Sequence, residues 1–331
     1  MRDREVRQLP LGGDHTGRMD GTAVREAVAD RNRRWATTPL IPSWVDPATV
    51  GLDQLFTRSD LAKRCYSDLV ERMRIDHAPV SDYQFVEPGA GAGAFYDLLP
   101  PDRRTGLDIL PLRDEFERCD FLTWHPMATG RHAVIGNPPF GYRAWLALAF
   151  LNHSATFADY AGLILPMAFQ SDGKGSPKHR VIGMRLVHSE PLPPDSFVHA
   201  DGRPAKINAL WQVWQRGVNN QPPPQHCDEW IDLFTVDQRK ERLCGQQRMA
   251  EADWFLQRTF YHEPPKPVRS FSMVRYVCGY GIVIKKAKSR VSEALQRVDW
   301  RRYSNLAAHN CRHISMYHIR QAVIDAGFVN G

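Results

Sequence analysis

With 331 residues, 43% of them hydrophobic and 24% charged, the chain is long enough for one large domain and a smaller one. Its longest apolar runs fall far short of the roughly 20 residues that a membrane-spanning helix needs, which excludes a helical membrane protein. The net charge of +6 is unevenly placed: between residues 260 and 320, twelve Lys or Arg face three acids, so the remainder is slightly acidic and a polyanion partner is expected at the C-terminal end.

The opening residues, MRDREVRQLPLGGDHTGRMDG, are charged and polar and lack the apolar core of a signal peptide, so a cytoplasmic location is expected. Residues 1–50 show no clean periodicity and read as an arm that is partly disordered or wraps the domain. Over 55–73, Leu61, Cys65, Leu69 and Met73 recur at four-residue steps, which predicts an amphipathic helix with Ser59 or Thr57 as its cap. An alternation follows: strands over 83–87, 105–110, 132–137, 161–167, 184–192 and 207–216, with helices over 94–99 and 144–158. Strands separated by helices predict an α/β domain, 51–220, around a largely parallel sheet. QPPPQ, 221–225, interrupts any helix or central strand and marks the boundary to a second unit, 226–331. In that unit, DEWIDLF and QQRMAEADWFLQRTF read as helical or mixed, 272–284 as strands around a Gly-Tyr-Gly turn, and MYHIRQAVIDA as a closing helix capped by Ser315 and ended by Gly327. The six cysteines are scattered singly without a CxxC pair, the pattern of reduced thiols.

Two stretches carry chemistry. In FVEPGAGAGAF, a strand ends on Glu87 and glycines follow at 89, 91 and 93, where a backbone must turn sharply and pass close to a ligand. The spacing is not the GxGxxG of dinucleotide sites. Asp108 ends the second strand, placed to accept the ribose hydroxyls of an adenosine-containing cofactor. Asp120-Phe121 then forms an acidic and aromatic turn suited to an adenine ring. The other stretch, Asn137-Pro138-Pro139-Phe140, stands at the carboxyl end of a strand, where open α/β sheets place their sites.

EPGAGAG and NPPF together resemble the class I S-adenosylmethionine-dependent methyltransferases that methylate an amino or amide nitrogen, above all the N6-adenine DNA methyltransferases. The resemblance covers about 55–216. It implies a Rossmann-like sheet flanked by helices with a smaller C-terminal α+β target-recognition unit. It also implies S-adenosylmethionine as cofactor with no metal required. Cofactor contacts would come from Phe56, Thr57, Glu87, Gly89, Gly91, Asp108, Asp120, Phe121 and Asn137. Arg58 stands where many members have proline, so the contact from the 56–58 segment departs from the pattern.

The need for NPPF can also be stated from chemistry. The exocyclic amine of adenine is a poor nucleophile because its lone pair is delocalised into the ring. The Asn137 side-chain oxygen and the Pro138 carbonyl can accept its two N–H hydrogens and draw the nitrogen toward tetrahedral geometry. The prolines fix that carbonyl in advance, and Phe140 offers a face for the base. Asn137, Pro138, Pro139 and Phe140 are therefore the catalytic candidates, acting on an adenine extruded from a duplex.

Double-stranded DNA is the expected partner, with Lys285, Lys286, Arg301, Arg302 and Tyr303 as contacts. Trp300 and Tyr280 are further aromatic candidates among the basic residues. The order of segments also resembles small bacterial and phage adenine-specific DNA methyltransferases, for which a restriction endonuclease is a possible partner. RNA is the alternative polymer. A protein glutamine amide is a more distant one, because those methyltransferases carry their extra domain before the glycine motif. A non-catalytic nucleic-acid-binding scaffold is a further alternative, which loss of Asn137 or of the glycines would signal. His309, Cys311, His313 and His318 cluster in sequence, but HxCxH is not a standard zinc spacing.

Overall fold

The computed structural model describes residues 55–331 apart from 128, 173–174, 200–201, 221–224, 240–242 and 308–309. The arm expected over 1–50 lies outside the described residues except Thr22, Arg25, Glu26 and Ala29, which are helical and exposed. No described helix is long and apolar enough to cross a membrane.

The larger unit is built on the strands β1 (Phe56–Thr57), β2 (Tyr83–Pro88), β3 (Arg104–Asp108), β4 (Glu117–Arg118), β5 (Arg131–Gly136), β6 (Tyr160–Pro166), β7 (Met184–Pro191), β8 (Phe197–Val198), β9 (Pro204–Ala205) and β10 (Ala209–Arg216). Seven of them form one sheet in the order β4-β3-β2-β5-β6-β10-β7. The first five run parallel, and β10 is antiparallel to both β6 and β7. This order, reversing at β2 and with one antiparallel strand set between β6 and the edge strand β7, is the Rossmann-like class I methyltransferase sheet. Successive residues point to opposite faces. Phe85, Ala133, Ile135, Ile164 and Trp211 meet the helix α1 (Ser59–Ile75) on one face, while Val86, Val134, Leu163, Leu165 and Trp214 meet α2 (Trp145–Phe157) on the other. The amphipathic stripe of α1 buries Leu61, Cys65, Leu69 and Met73 as its spacing predicts.

Several local expectations need correction. Neither Ser59 nor Thr57 caps α1: its N-cap is Arg58, without a side-chain bond to the helix, and Phe56–Thr57 is a strand paired with Phe197–Val198. No α-helix follows the glycine motif. Only a 3-10 turn forms at Tyr96–Leu98, because Pro100 and Pro101 stop the segment before a helix of workable length can nucleate. In the second unit, 231–237 is a strand and not helical.

That second unit comprises β11 (Ile231–Asp237), β12 (Trp254–Gln257), β13 (Thr259–Phe260), β14 (Cys278–Ile284), β15 (Asn305–Leu306) and β16 (Arg312–His313), with helices α3 (Lys288–Arg297) and α4 (Met316–Asp325). Two antiparallel sheets, β11-β14-β12 and β13-β16-β15, share a core with α3 and α4, an α+β arrangement. Gly279-Tyr280-Gly281 is not a turn but the interior of β14. Both glycines are needed there for packing, since the Phe234 ring fills the space of a Cβ at Gly281 and the Leu256 carbonyl that of one at Gly279. The closing helix starts on a full capping box, the Ser315 hydroxyl accepting from the His318 amide while the His318 ring accepts from the Ser315 amide. At its far end, Gly327 adopts φ +89° as the stop.

The two units touch. Leu306 of β15 packs against the core around α2, and Asn208 Nδ2 donates to Asn310 Oδ1 at 2.7 Å. β15 thus rests beside the turn Met167–Gln170 that follows β6, close to the carboxyl edge of the parallel strands.

Candidate active site

At the carboxyl end of β2 the chain turns through Gly89, Gly91 and Gly93 with φ of +65°, +52° and +84°, conformations that side chains disfavour. Without a following helix, side chains hold this loop. The buried Glu87 carboxylate accepts the Tyr96 amide at 2.6 Å and the Phe95 amide at 3.4 Å. Asp108, at the end of the adjacent β3, accepts the Gly91 amide and the Leu110 amide, both at 2.9 Å. Arg113 donates to the Ala92 carbonyl at 3.3 Å and to both Asp97 oxygens at 2.9 and 3.0 Å, and it also pairs with Glu115. Its guanidinium and the Phe116 ring occupy the space of a Cβ at Gly93.

Burial raises both acids. Glu87 is pushed up to about 8 by loss of solvent, opposed by the Tyr96 and Phe95 amides and reinforced by the charges of Asp97 and Asp108. Asp108 is raised by burial against the stabilising amides of Leu110, Gly91 and Ile109.

The NPPF segment closes onto this loop. β5 lies next to β2, and Gly136 brings its backbone against Glu87 and Pro88, where a Cβ would stand 3.5 Å from each. Three residues on, the Pro139 ring is the near neighbour of Gly89, at 3.8 Å from its Cβ position. Phe56 of β1 covers Gly91, its ring 3.3 Å from the corresponding point. Asn137 Nδ2 donates to the Leu55 carbonyl at 3.0 Å, which tethers the same segment. Phe56, Thr57, Glu87, Gly89, Gly91, Asp108 and Asn137–Phe140 are therefore brought to one edge of the sheet. Pro138 is buried, while Asn137, Pro139 and Phe140 are partly exposed. Arg58 is exposed and paired with Asp60 and Asp195.

Asp120 and Phe121 are placed differently from what their types suggest. Asp120 is buried and accepts the Leu122 amide at 3.0 Å, capping the turn Phe121–Thr123. The Phe121 ring is enclosed by Phe150, His153 and Phe157, with centroids 5.0, 4.9 and 6.2 Å away. These neighbours cover the faces of the Phe121 ring.

Sequence reading missed Arg113 and the Leu55 carbonyl. Arg113 sits in an RDEFER run that reads as a solvated charge cluster, and a backbone carbonyl leaves no signal.

In the second unit, Trp300 and Tyr280 are core residues, the latter donating its hydroxyl to the Ile314 carbonyl at 2.9 Å. Their expected contact with bases is corrected accordingly. Lys285 donates to the Asp228 carbonyl, Lys286 pairs with Glu229, and Arg301 donates to the His262 carbonyl; all three remain exposed. Arg302 is exposed with its guanidinium 5.6 Å from the Tyr303 ring, whose hydroxyl donates to Asp325 at 2.7 Å. His313 bonds Thr259, and His318 caps α4; His309 lies outside the described residues.

Neither a known protein-family model nor a curated protein sequence matches the chain. Similar solved structures include PH1948 from Pyrococcus horikoshii, 18% identical over 50% of this chain and 88% of that one, with a TM-score of 0.36. Others are the 23S rRNA methyltransferase ErmE, 18% identical over 51% and 72% with a TM-score of 0.35, and the magnesium protoporphyrin IX methyltransferase ChlM from Synechocystis PCC 6803 with bound SAM, 14% identical over 58% and 97% with a TM-score of 0.33. Likenesses of this degree carry no information on substrate.

Proposed function

We propose that the chain is a methyltransferase that moves a methyl group from S-adenosylmethionine to the N6 amine of adenine in DNA. The observation that carries this reading is the meeting of NPPF with the glycine loop, Pro139 beside Gly89 and Phe56 over Gly91. A loop with positive-φ glycines, a ribose-competent acid next to it and an amine-gripping motif alongside suit a methyl donor facing an amino nitrogen. Residues Phe56, Gly89, Gly91 and Asp108 would hold the cofactor. Asp108 spends one bond on Gly91 and one on Leu110, and a carboxylate with about four lone-pair sites keeps acceptor capacity for ribose hydroxyls.

When bound, the cofactor supplies a methyl on a positively charged sulfur, a leaving group good enough that no covalent enzyme intermediate is required. With Nδ2 engaged by Leu55, the Asn137 amide retains Oδ1 as an acceptor for one hydrogen of the target amine. The Pro138 carbonyl takes the other, its direction limited by the proline that follows. The basic excess in the unit after the catalytic domain supports a nucleic-acid substrate of either kind, and DNA is preferred on the order of segments, glycine loop, NPPF and then a basic unit, which resembles adenine-specific DNA methyltransferases. Incubation with labelled S-adenosylmethionine and DNA or RNA, followed by nucleoside mass spectrometry, is expected to place the label in N6-methyladenine from DNA. Label found only in RNA, or none in either polymer, would overturn the assignment.

The Arg113 clamp gives a second expected result. Arg113→Ala should weaken cofactor binding by about tenfold, the worth of one or two charge-assisted bonds to the loop, while the rate at saturating cofactor stays near wild type. Arg113→Lys should recover only part of the affinity, because one ammonium lacks the planar fork that reaches Ala92, Asp97 and Glu115 together. Calorimetric titration of the cofactor checks both.

A further inference from the structure

Directly after Phe140 the backbone enters a tight turn, Gly141 to Ala144, closed by the Ala144 amide donating to the Gly141 carbonyl at 3.1 Å. Gly141 has φ +66°, and a Cβ there would meet Leu146 at 2.8 Å, so glycine is required on both counts. Arg143 (φ 55°, ψ 28°) and Ala144 (φ 62°, ψ 19°) are also left-handed. Arg143 occupies the third position of the turn, where glycine is the residue that avoids strain. Ala144 is buried, so its side chain serves packing. Arg143 is exposed, so packing does not explain why a side chain is kept there. Beside it Tyr142 is 69% exposed, with the Arg143 guanidinium 5.1 Å from its ring centroid. An exposed aromatic and a cation thus stand on a strained turn two and three residues past the motif that would grip the amine. Backbone strain retained beside a site points to a function for the side chain that carries it.

Given the methyltransferase reading above, we propose that Tyr142 and Arg143 are DNA-contacting residues at the rim of the site, Arg143 binding a backbone phosphate near the target nucleotide and Tyr142 stacking on a neighbouring base. A guanidinium matches the forked geometry of a phosphate, and an aromatic face accepts any base. The pair would add affinity next to the reacting adenine without selecting sequence, leaving recognition to the second unit.

The test uses full-length protein and adenine-containing DNA oligonucleotides, duplex and single-stranded, with binding followed by fluorescence anisotropy over a salt series. Arg143→Gly is expected to weaken DNA binding about tenfold and to lower the slope of log affinity against log salt by about one, with the melting temperature unchanged or raised because the turn is relieved. Tyr142→Ala is expected to weaken binding by a similar factor with the slope preserved, since stacking releases no counterion. Cofactor affinity should equal wild type in both. Wild-type DNA affinity and slope in both variants would overturn the proposal, as would a lowered melting temperature for Arg143→Gly, which would make the pair a structural device. Binding of RNA but not of DNA by the wild-type protein would overturn the choice of partner. These are binding readouts, so a wild-type protein that binds DNA through this pair yet labels no adenine would sink the reaction assignment alone.

Discussion

Replacing Asn137 by alanine is expected to lower the methyl-transfer rate by about a hundredfold or more, the scale on which single preorganised polar contacts to a reacting centre act. Cofactor affinity should fall by no more than about tenfold. The asymmetry follows from the two ends of the amide. Oδ1 is the acceptor that would polarise the target amine, so its loss is felt in the rate. Nδ2 donates to the Leu55 carbonyl at 3.0 Å and so steadies the segment whose Phe56 ring covers Gly91. One such bond contributes about 0.5–1.5 kcal/mol net, which caps the effect on the cofactor at roughly tenfold. Asn137→Asp separates the ends further, because a carboxylate keeps an acceptor for the amine but sets a second acceptor against the Leu55 carbonyl. That variant should retain more rate than alanine while binding cofactor no better. Single-turnover kinetics with parallel calorimetry decides the matter. Equal losses in rate and affinity for Asn137→Ala would make the residue a tether for the 55–57 segment and remove it from the chemistry.

The sheet was legible because its strands are short apolar runs separated by charged or glycine-rich turns, and the glycine and NPPF motifs mark the carboxyl ends of two adjacent strands. Where reading failed, tertiary context had overridden local pattern. AFYDLL has helical composition, yet two prolines stop it after one turn, and loop order passes to Glu87, Asp108 and Arg113. DEWIDLF mixes acids and apolar residues in a way that suits either helix or strand; pairing of Ile231–Asp237 with Cys278–Ile284 decides it. Gly-Tyr-Gly has turn composition but serves ring packing inside that same pair. α3 escaped notice because only Val291 and Leu295 of its ten residues are buried, too few to give a periodic signal. The aromatic candidates of the second unit divided on the same ground: a tryptophan among arginines reads as a nucleic-acid contact, but Trp300 is a core residue and the arginines beside it face outward.

Glu87 should give the glycine loop a pH dependence. Burial lifts this acid from an ordinary value near 4.5 to about 8. The folded protein therefore retains a proton that the unfolded chain releases, and the associated stability is complete below about 4.5 and lost as pH rises toward about 8. Other acids contribute in the opposite sense, Asp60, Asp232 and Asp253 among them, all lowered by their cationic or amide partners, so the wild-type curve alone is a mixture. The comparison with Glu87→Gln isolates the residue. Glutamine keeps an acceptor for the Tyr96 amide and has no proton to lose, and Asp108 is common to both proteins. The melting temperature of the variant relative to wild type should therefore climb between pH 5 and pH 8.5, by several degrees if the linkage amounts to about 2 kcal/mol. Cofactor binding should respond in the reverse direction. A bound sulfonium and ammonium favour the ionised acid, so wild-type affinity is expected to rise with pH up to about 8, with proton release visible in calorimetry across buffers of different ionisation enthalpy. In Glu87→Gln the rise and the proton release should both shrink by the share that Glu87 supplies, leaving that of Asp108. Parallel melting curves for the two proteins would mean instead that the Tyr96 and Phe95 amides hold Glu87 ionised throughout, with its charge permanently part of the loop.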